Sequence, residues 1–365
     1  MPKLLFIQYR PFGTVLNGGD QGTKKNLDAL RRVMGETNVD VFYLHEKAGK
    51  SSLWEYAKGA MLMPFGYFLG VTSEKVRELT EKAKEYDYIF LERSIFGILA
   101  KALKEAGYKG KICTSFQNIE VLYMDAKMPK HLPFRTVLLN CADKNDRWSS
   151  VYSDIVIVLN DRDNFELQKR YGRKADCIIP VTLEDKCAQM SVDKKSLTGE
   201  RPLCLFLGTY FLANNEGIIW FMRNVYPHVD VEVKIVGRGM AKLKAEQPEL
   251  LQNIEVISDA PDLEPYFKEA DMMVLPIFSG SGMKVKTCES LMNGKNIIAT
   301  DEALEGYEIE EGVSAWRCNT AEEFITCIND FAAHPRHRWN ESARQCYLDN
   351  YSEKAVEEKF RELLS

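Results

Sequence analysis

The fifteen residues GSGMKVKTCESLMNG, at 280–294, place three chemistries in succession: glycines, then two lysines, then a glutamate inside an apolar helical pattern. Gly280, Ser281 and Gly282 let backbone amides come close to a ligand. A helix starting near Met283 would aim its unpaired N–H groups and the positive end of its dipole at the same place. An anion suits that position. Lys284 and Lys286 add mobile positive charge, while Val285, Cys288, Leu291 and Met292 form the inward stripe and Asn293-Gly294 supplies a stop. Glu289 stands three positions after Lys286, one helical turn further and roughly 5 Å away along the same side. That is about the step from a diphosphate to its ribose. An ionised carboxylate accepts two hydrogen bonds and so can hold a vicinal diol, whereas lysine and glycine amides hold phosphate. The competing reading is a plain i,i+3 ion pair between Lys286 and Glu289 on a solvated helix. The residues alone leave both open.

Such a loop needs a strand to deliver it, and short apolar or β-branched runs recur along the chain with helical patterns between them. The first half supplies LLFIQ (4–8), VDVFYL (39–44), YIFLE (88–92), KICTSF (111–116), IVIVLN (155–160) and CIIPV (177–181). The polar stretch TLEDKCAQMSVDKKSLTGERP (182–202) has no periodic apolar face and reads as a connector. The rhythm then restarts with CLFLG (204–208), VEVKIVG (231–237), IEVIS (254–258), MMVLP (272–276) and NIIAT (296–300). We expect an α/β chain of two doubly wound domains, 1–181 and 182–349. A final amphipathic helix over about 350–365 returns to the first domain with Ala355, Val356, Phe360 and Leu363 on its inner side. In such sheets ligands sit outside the carboxyl ends of the strands, so chemistry is expected in the loops after Gln8, Gly208, Gly237 and Pro276.

Composition narrows the class. The 365 residues are 45% hydrophobic, enough to fill more than one core. No signal-peptide pattern opens the chain and no uncharged apolar run approaches about 18 residues, which points to a cytoplasmic protein. Nine cysteines, none in a CxxC pair, suit reduced core thiols rather than disulfides or zinc. The net charge of −5 divides unevenly: residues 1–180 carry 28 Lys+Arg against 22 Asp+Glu, or +6, and residues 181–365 carry 20 against 31, or −11. The first half can favour an anionic partner, although ordinary solvated faces explain the charges equally well.

The run PIFSGSGMKVKTCESLMNGKNIIATDEALEG, 276–306, resembles the nucleotide-binding segment of family 4 retaining glycosyltransferases of the GT-B fold. The branch it resembles reads P, then G-G-G-T-R-L-K-x-x-E-A-L, then P-V-V-x-T and E-G. FLGTYFLANNEGIIWFMRNVYP (206–227) and VGRG followed by SDAPDLEPYFKEADMMVLP continue the likeness in register, and FQNIEVLYMDAK with YSDIVIVLNDRD extend it more weakly into the first half. The resemblance implies two Rossmann-like domains facing across a cleft. It also implies sugar transfer from a nucleoside diphosphate donor, such as a UDP- or GDP-sugar, to a glycan or lipid-linked acceptor with retention of configuration, as in bacterial surface polysaccharide or glycoconjugate synthesis. Carried over by position, Glu289 would bind the ribose hydroxyls, Lys286 and Lys284 the diphosphate, and Gly280, Ser281 and Gly282 would shape the phosphate loop. Gly208, Gly237 and Arg238 match loops that touch the donor, Asn215 matches an asparagine near it, and Glu305-Gly306 matches a family pair in packing or donor contact. Lys286 and Arg238 would act in catalysis by stabilising charge on the leaving diphosphate. Gly18, Gly19 and Gly22 resemble the family's interdomain loop. Asn118 and Glu120 fall on the acceptor side.

The chain departs from the wider family in two places: a second glutamate eight positions before the ribose-binding one is Ser281 here, and a frequent His-Asn pair reads Gln117-Asn118. A glutamine cannot act as the base that a histidine could be. With a donor phosphate oxygen able to take the acceptor proton, the family picture requires no protein base. No cofactor, metal or nucleic-acid partner is expected. The apolar run WEYAKGAMLMPFGYFLGV (54–71) could form an acceptor groove, a peripheral membrane contact of the first domain at the inner face of the cytoplasmic membrane, or simply a core helix. A sugar-nucleotide epimerase of the same fold and a non-catalytic nucleotide-sugar binding module stand as alternatives.

Overall fold

A computed structural model describes residues 2–13, 18–45, 61–68, 71–187, 201–280, 282–334 and 337–365. The chain divides into two compact units, Met1–Pro180 with Val356–Ser365, and Val181–Ala355. Each is built on a six-stranded, wholly parallel sheet, the α/β architecture of GT-B glycosyltransferases.

In the first unit the strands are β1 (Leu4–Gln8), β2 (Val39–Tyr43), β3 (Tyr88–Leu91), β4 (Lys111–Phe116), β5 (Ile155–Val158) and β6 (Cys177–Ile178), in the order β2-β1-β3-β4-β5-β6. Apolar runs become buried parallel strands because crossover helices cover both faces of the sheet. Residues of β1 alternate between two cores. Leu5 and Ile7 join Ile89, Leu91, Leu99 and Leu103, while Leu4 and Phe6 join Phe90, Leu27, Leu30 and Phe360. Phe6 stacks on Phe90 at 5.2 Å between ring centroids, and Phe360 meets Phe90 edge-on. Val356 and Phe360, one turn apart on the helix Glu353–Leu364, thus complete the second of these cores. The strand order reverses between β1 and β3, so the loops following those strands diverge there and leave a crevice-forming point.

In the second unit β7 (Leu203–Leu207), β8 (Glu232–Gly237), β9 (Glu255–Ser258), β10 (Met272–Leu275), β11 (Asn296–Ala299) and β12 (Trp316–Arg317) run in the order β12-β11-β10-β7-β8-β9. The switch falls between β7 and β10. That places the loops after Leu207 and Leu275 side by side.

Four local features differ from the sequence expectation. The helix expected near Met283 begins at Val285, because Gly282, with φ 63°, turns the chain and Lys284 takes the extended cap position. Gly18 and Gly19, matched to a loop in the sequence, open the helix Gly18–Met34, and Gly22 lies within it. The strand β12 is two residues long, too short to register as a period. The segment read as a connector is anchored at its start: Thr182 Oγ1 donates to the Tyr351 carbonyl, Leu183 bridges Ser352, and Asp185 pairs with Arg344. Residues 188–200 of that segment lie outside the described residues, as do 46–60. Of the apolar run 54–71, Met63 and Val71 are buried and Tyr67 and Phe68 pack on the first core, whereas Met61 and Phe65 are exposed. Among the described residues no helix is long and apolar enough to cross a membrane.

Candidate functional site

The loop after β10 and the helix Val285–Met292 are held in place by two hydrogen bonds and a buried tyrosine. The Tyr307 hydroxyl donates to the Lys284 carbonyl at 2.8 Å, Thr287 Oγ1 donates to the Ala303 carbonyl at 2.6 Å, and Tyr307 itself is buried. Gly280 and Gly282 both take positive φ, 152° and 63°. Lys284 is pinned at the mouth of the loop. Its ammonium donates to the Gly282 carbonyl at 2.9 Å and to the Glu302 carboxylate. Ser281 lies outside the described residues.

Lys286 is placed differently. Its Nζ donates to Asn214 Oδ1 at 2.6 Å and stands 4.8 Å from the centroid of the Phe206 ring. Asn214 Nδ2 donates to the Thr209 carbonyl at 2.8 Å, which fixes the amide so that its oxygen faces the lysine. Asn214 lies in the first turn of the helix Leu212–Asn224, after β7, and Lys286 follows β10; their bond therefore spans the switch point of the second sheet. Gly217 permits this closeness, since a Cβ there would lie 1.9 Å from the Pro276 carbonyl oxygen.

Glu289 stands one turn further, half-buried like Lys286. Among the described residues no ion pair joins the two, and the Glu289 carboxylate has no hydrogen-bond partner. The plain i,i+3 pair is therefore not what forms. Burial lowers Lys286 from its ordinary 10.5 to about 7, reinforced by Lys284 and opposed by Glu289. Burial likewise raises Glu289 from 4.5 to about 7, against the pull of Lys286 and Lys186. A half-neutral lysine and a half-neutral acid both gain by meeting a charged, hydrogen-bonding ligand.

The loops after β7 and β8 close the same end of the sheet. A Cβ on Gly237, whose φ is 155°, would lie 1.8 Å from the Gly208 carbonyl oxygen, so the two strand ends meet backbone to backbone. Gly208 N donates to the Val236 carbonyl and Tyr210 N to the Arg238 carbonyl. The Arg238 side chain is exposed and has no ion-pair partner among the described residues. Asn215 Oδ1 is buried without a hydrogen-bond partner. Glu305 follows the helix Asp301–Leu304 as its last cap, half-buried, and Gly306 after it has φ 82°. The residues that sequence reasoning missed are Asn214 and Phe206. Their signal was present in the asparagine pair opening the helix after β7 and in the aromatic within that strand.

In the first unit, Glu120 is buried and receives two hydrogen bonds from the Arg93 guanidinium, at 2.9 and 2.6 Å, so its charge is already matched. Asn118 is half-buried beside it. Gln117 Nε2 donates to Thr23 Oγ1 at 3.0 Å, to the Glu92 carbonyl at 3.4 Å and to Glu92 Oε2 at 3.3 Å, while Thr23 Oγ1 donates to Glu92 Oε2. A Cβ on Gly22 would meet nothing within 4 Å, so that position faces open space. Thr23 and Glu92 were not singled out by spacing, because they are 69 residues apart and only the sheet joins them.

Two six-stranded parallel sheets with polar clusters at their switch points define a GT-B type of protein. Residues 201–334, within the unit that holds Lys286 and Glu289, match the family described as "Glycosyl transferases group 1". A curated relative, the "Uncharacterized 44.6 kDa protein in cps region" of Klebsiella pneumoniae, is 24% identical over 250 residues, which are 63% of this chain. The chain spans 61% of that relative's length. Among solved structures, Anabaena Alr3699/HepE in complex with UDP is similar with a TM-score of 0.69 and 14% identity, covering 99% of each chain. The lipopolysaccharide outer core galactosyltransferase WaaB, in its apo form, gives the same values, 0.69, 14% and 99% of each. WaaG, a glycosyltransferase involved in lipopolysaccharide biosynthesis, gives 0.64 and 15% over 99% of each. At these identities the structures show the fold.

Proposed function

We propose that this protein is a retaining glycosyltransferase that moves a sugar from a nucleoside diphosphate donor to a glycan or lipid-linked acceptor in surface polysaccharide or glycoconjugate synthesis. The observation that carries the reading is the pair Lys286 and Glu289. They are a cation and a carboxylate one helical turn apart beside a switch point, and they are not spent on each other. The diphosphate lies against the glycine loop, the amino end of the helix Val285–Met292 and Lys286; the ribose hydroxyls lie against Glu289. Arg238, exposed on the β8 loop, adds a cation from the side.

Breaking the bond between sugar and phosphate builds negative charge on the leaving diphosphate. Preorganised cations and backbone amides stabilise that charge more in the transition state than in the bound donor. Lys286 is suited to this because Asn214 and Phe206 hold it without pairing it to a carboxylate. Lys284, tied to Glu302, contributes mainly by shaping the loop. The match of residues 201–334 to the group 1 glycosyltransferases, the cps-region relative and the UDP complex of Anabaena Alr3699/HepE support the reading.

Calorimetric titration of UDP and GDP into the protein and into Glu289→Ala tests it. We expect micromolar binding of one nucleotide by the unaltered protein and a loss of at least tenfold in the variant. Equal affinity for the two proteins would remove the ribose role, and anomeric proton NMR of the product reports retention directly.

A further inference from the structure

Phe134, in the first unit, breaks two local rules at once. It is one of two residues other than glycine with positive φ among the described residues, at 64°, a backbone that bulky side chains rarely take. It also holds the N-cap of the helix Arg135–Tyr152 without a side-chain hydrogen bond, where Ser, Thr, Asn or Asp would serve the free amides. Packing within the unit does not offset this, because Phe134 is 79% exposed. Strain kept without an internal contact points to an external one.

The neighbouring residues give that contact its chemistry. Residues 129–134, PKHLPF, are all exposed and form a projecting turn between the helices Glu120–Lys127 and Arg135–Tyr152. Leu132 N donates to the Pro129 carbonyl and Arg135 N to the Leu132 carbonyl, closing the turn, and Pro129 and Pro133 stiffen it. Leu132 shares the turn with Phe134 and is also exposed. No carboxylate occurs between Asp125 and Asp143, whereas Lys127, Lys130 and Arg135 do. Asp125 is taken by Arg135, and Lys130 has no ion-pair partner among the described residues. The tip is thus apolar and cationic, in a half of the chain whose residues 1–180 carry +6.

We propose that this turn seats the first unit on an anionic phospholipid surface. Phe134 and Leu132 enter the boundary between headgroups and acyl chains, and Lys127 and Lys130 meet the headgroup phosphates. The inference stands on the first unit alone and does not depend on the transferase reading. Two apolar side chains on a tip fall far short of the roughly 800 Å² that each side of a specific protein interface buries. They suit a lipid boundary, where apolar burial and attraction to anionic headgroups add. The other exposed apolar pair, Met61 and Phe65, lies in the run 54–71 for which the sequence suggested such a contact. Met63 anchors that turn in the interior and its backbone is left-handed only at Gly66, so it holds no strain of this kind.

Flotation of the full chain, without nucleotide, tests this with vesicles of phosphatidylcholine mixed with phosphatidylglycerol and with vesicles of phosphatidylcholine alone. The unaltered protein should bind the anionic vesicles about tenfold more tightly than the neutral ones, and less tightly in high salt. Asparagine tolerates the left-handed backbone and caps helices, so Phe134→Asn should raise the thermal midpoint while weakening binding to the anionic vesicles by about tenfold or more. A structural role for the ring would lower the midpoint instead. Lys130→Gln should weaken binding about fivefold, and Phe65→Ser should leave it within about twofold. An unaltered protein that does not float with anionic vesicles, or a Phe134→Asn variant that floats equally well, overturns the proposal. Absence of UDP and GDP binding in calorimetry overturns the transferase reading and leaves the flotation result to decide this one.

Discussion

Lys286 donates to Asn214 at 2.6 Å across the point where the second sheet reverses its strand order. The bond couples the helix after β7 to the helix after β10, and it keeps the ammonium over the Phe206 ring instead of against an anion. A lysine so held is charged by its ligand.

Removing that hold should lower turnover more than affinity. Asn214→Ala leaves the lysine free to swing, and we expect kcat to fall about tenfold with UDP affinity changed less than threefold. Steady-state kinetics beside calorimetry check this; a raised Michaelis constant with unaltered kcat would contradict it.

Proton exchange on binding follows from the two half-neutral groups. Above pH 7 the free Lys286 is largely neutral, and a bound diphosphate restores its charge, so binding at pH 8 should take up close to one proton and weaken as pH rises. Below pH 7 Glu289 is largely protonated and must release its proton to accept the ribose hydroxyls, so binding should weaken there too. Titration at pH 6 and pH 8 in buffers of different ionisation enthalpy measures both signs.

Glu92 predicts a stability trend of definite sign. Its folded-state value near 7 lies above the unfolded 4.5, so the folded protein keeps a proton that the unfolded chain loses, and stability falls as pH rises from 4.5 through 7. Glu92→Gln cannot ionise. Its stability relative to the unaltered protein should rise by on the order of 3 kcal/mol between pH 4.5 and pH 8, as measured by urea unfolding at each pH. A constant difference would mean that Glu92 titrates normally.

Gly237→Ala forces a methyl group into the Gly208 carbonyl and strains a backbone with φ 155°. We expect a loss of at least about 2 kcal/mol in stability, seen as a lower midpoint in thermal unfolding, and weaker nucleotide binding as the β7 and β8 ends separate.

Eleven apolar runs were readable as strands because buried parallel strands carry unbroken Val, Ile, Leu and Phe, as in LLFIQ and IVIVLN. The helix carrying Lys286 and Glu289 showed through its 3.6-residue stripe, Cys288, Leu291 and Met292 all being buried. What stayed hidden depends on strand order. Asn214 and Lys286 are 72 residues apart, Thr23 and Glu92 are 69, and each pair meets only because the sheet places two particular strands side by side. Lys284 looked as mobile as Lys286 because its partner, Glu302, lies beyond β11 and outside any helical spacing. The short strand β12 carries too little sequence to declare itself.

The most direct measurement is a crystal structure of the protein soaked with UDP. The account predicts the pyrophosphate on the amino end of the helix Val285–Met292 within reach of Lys286, and both ribose hydroxyls within hydrogen-bonding distance of the Glu289 carboxylate. A nucleotide bound at any other strand end, or with its ribose away from Glu289, would contradict it.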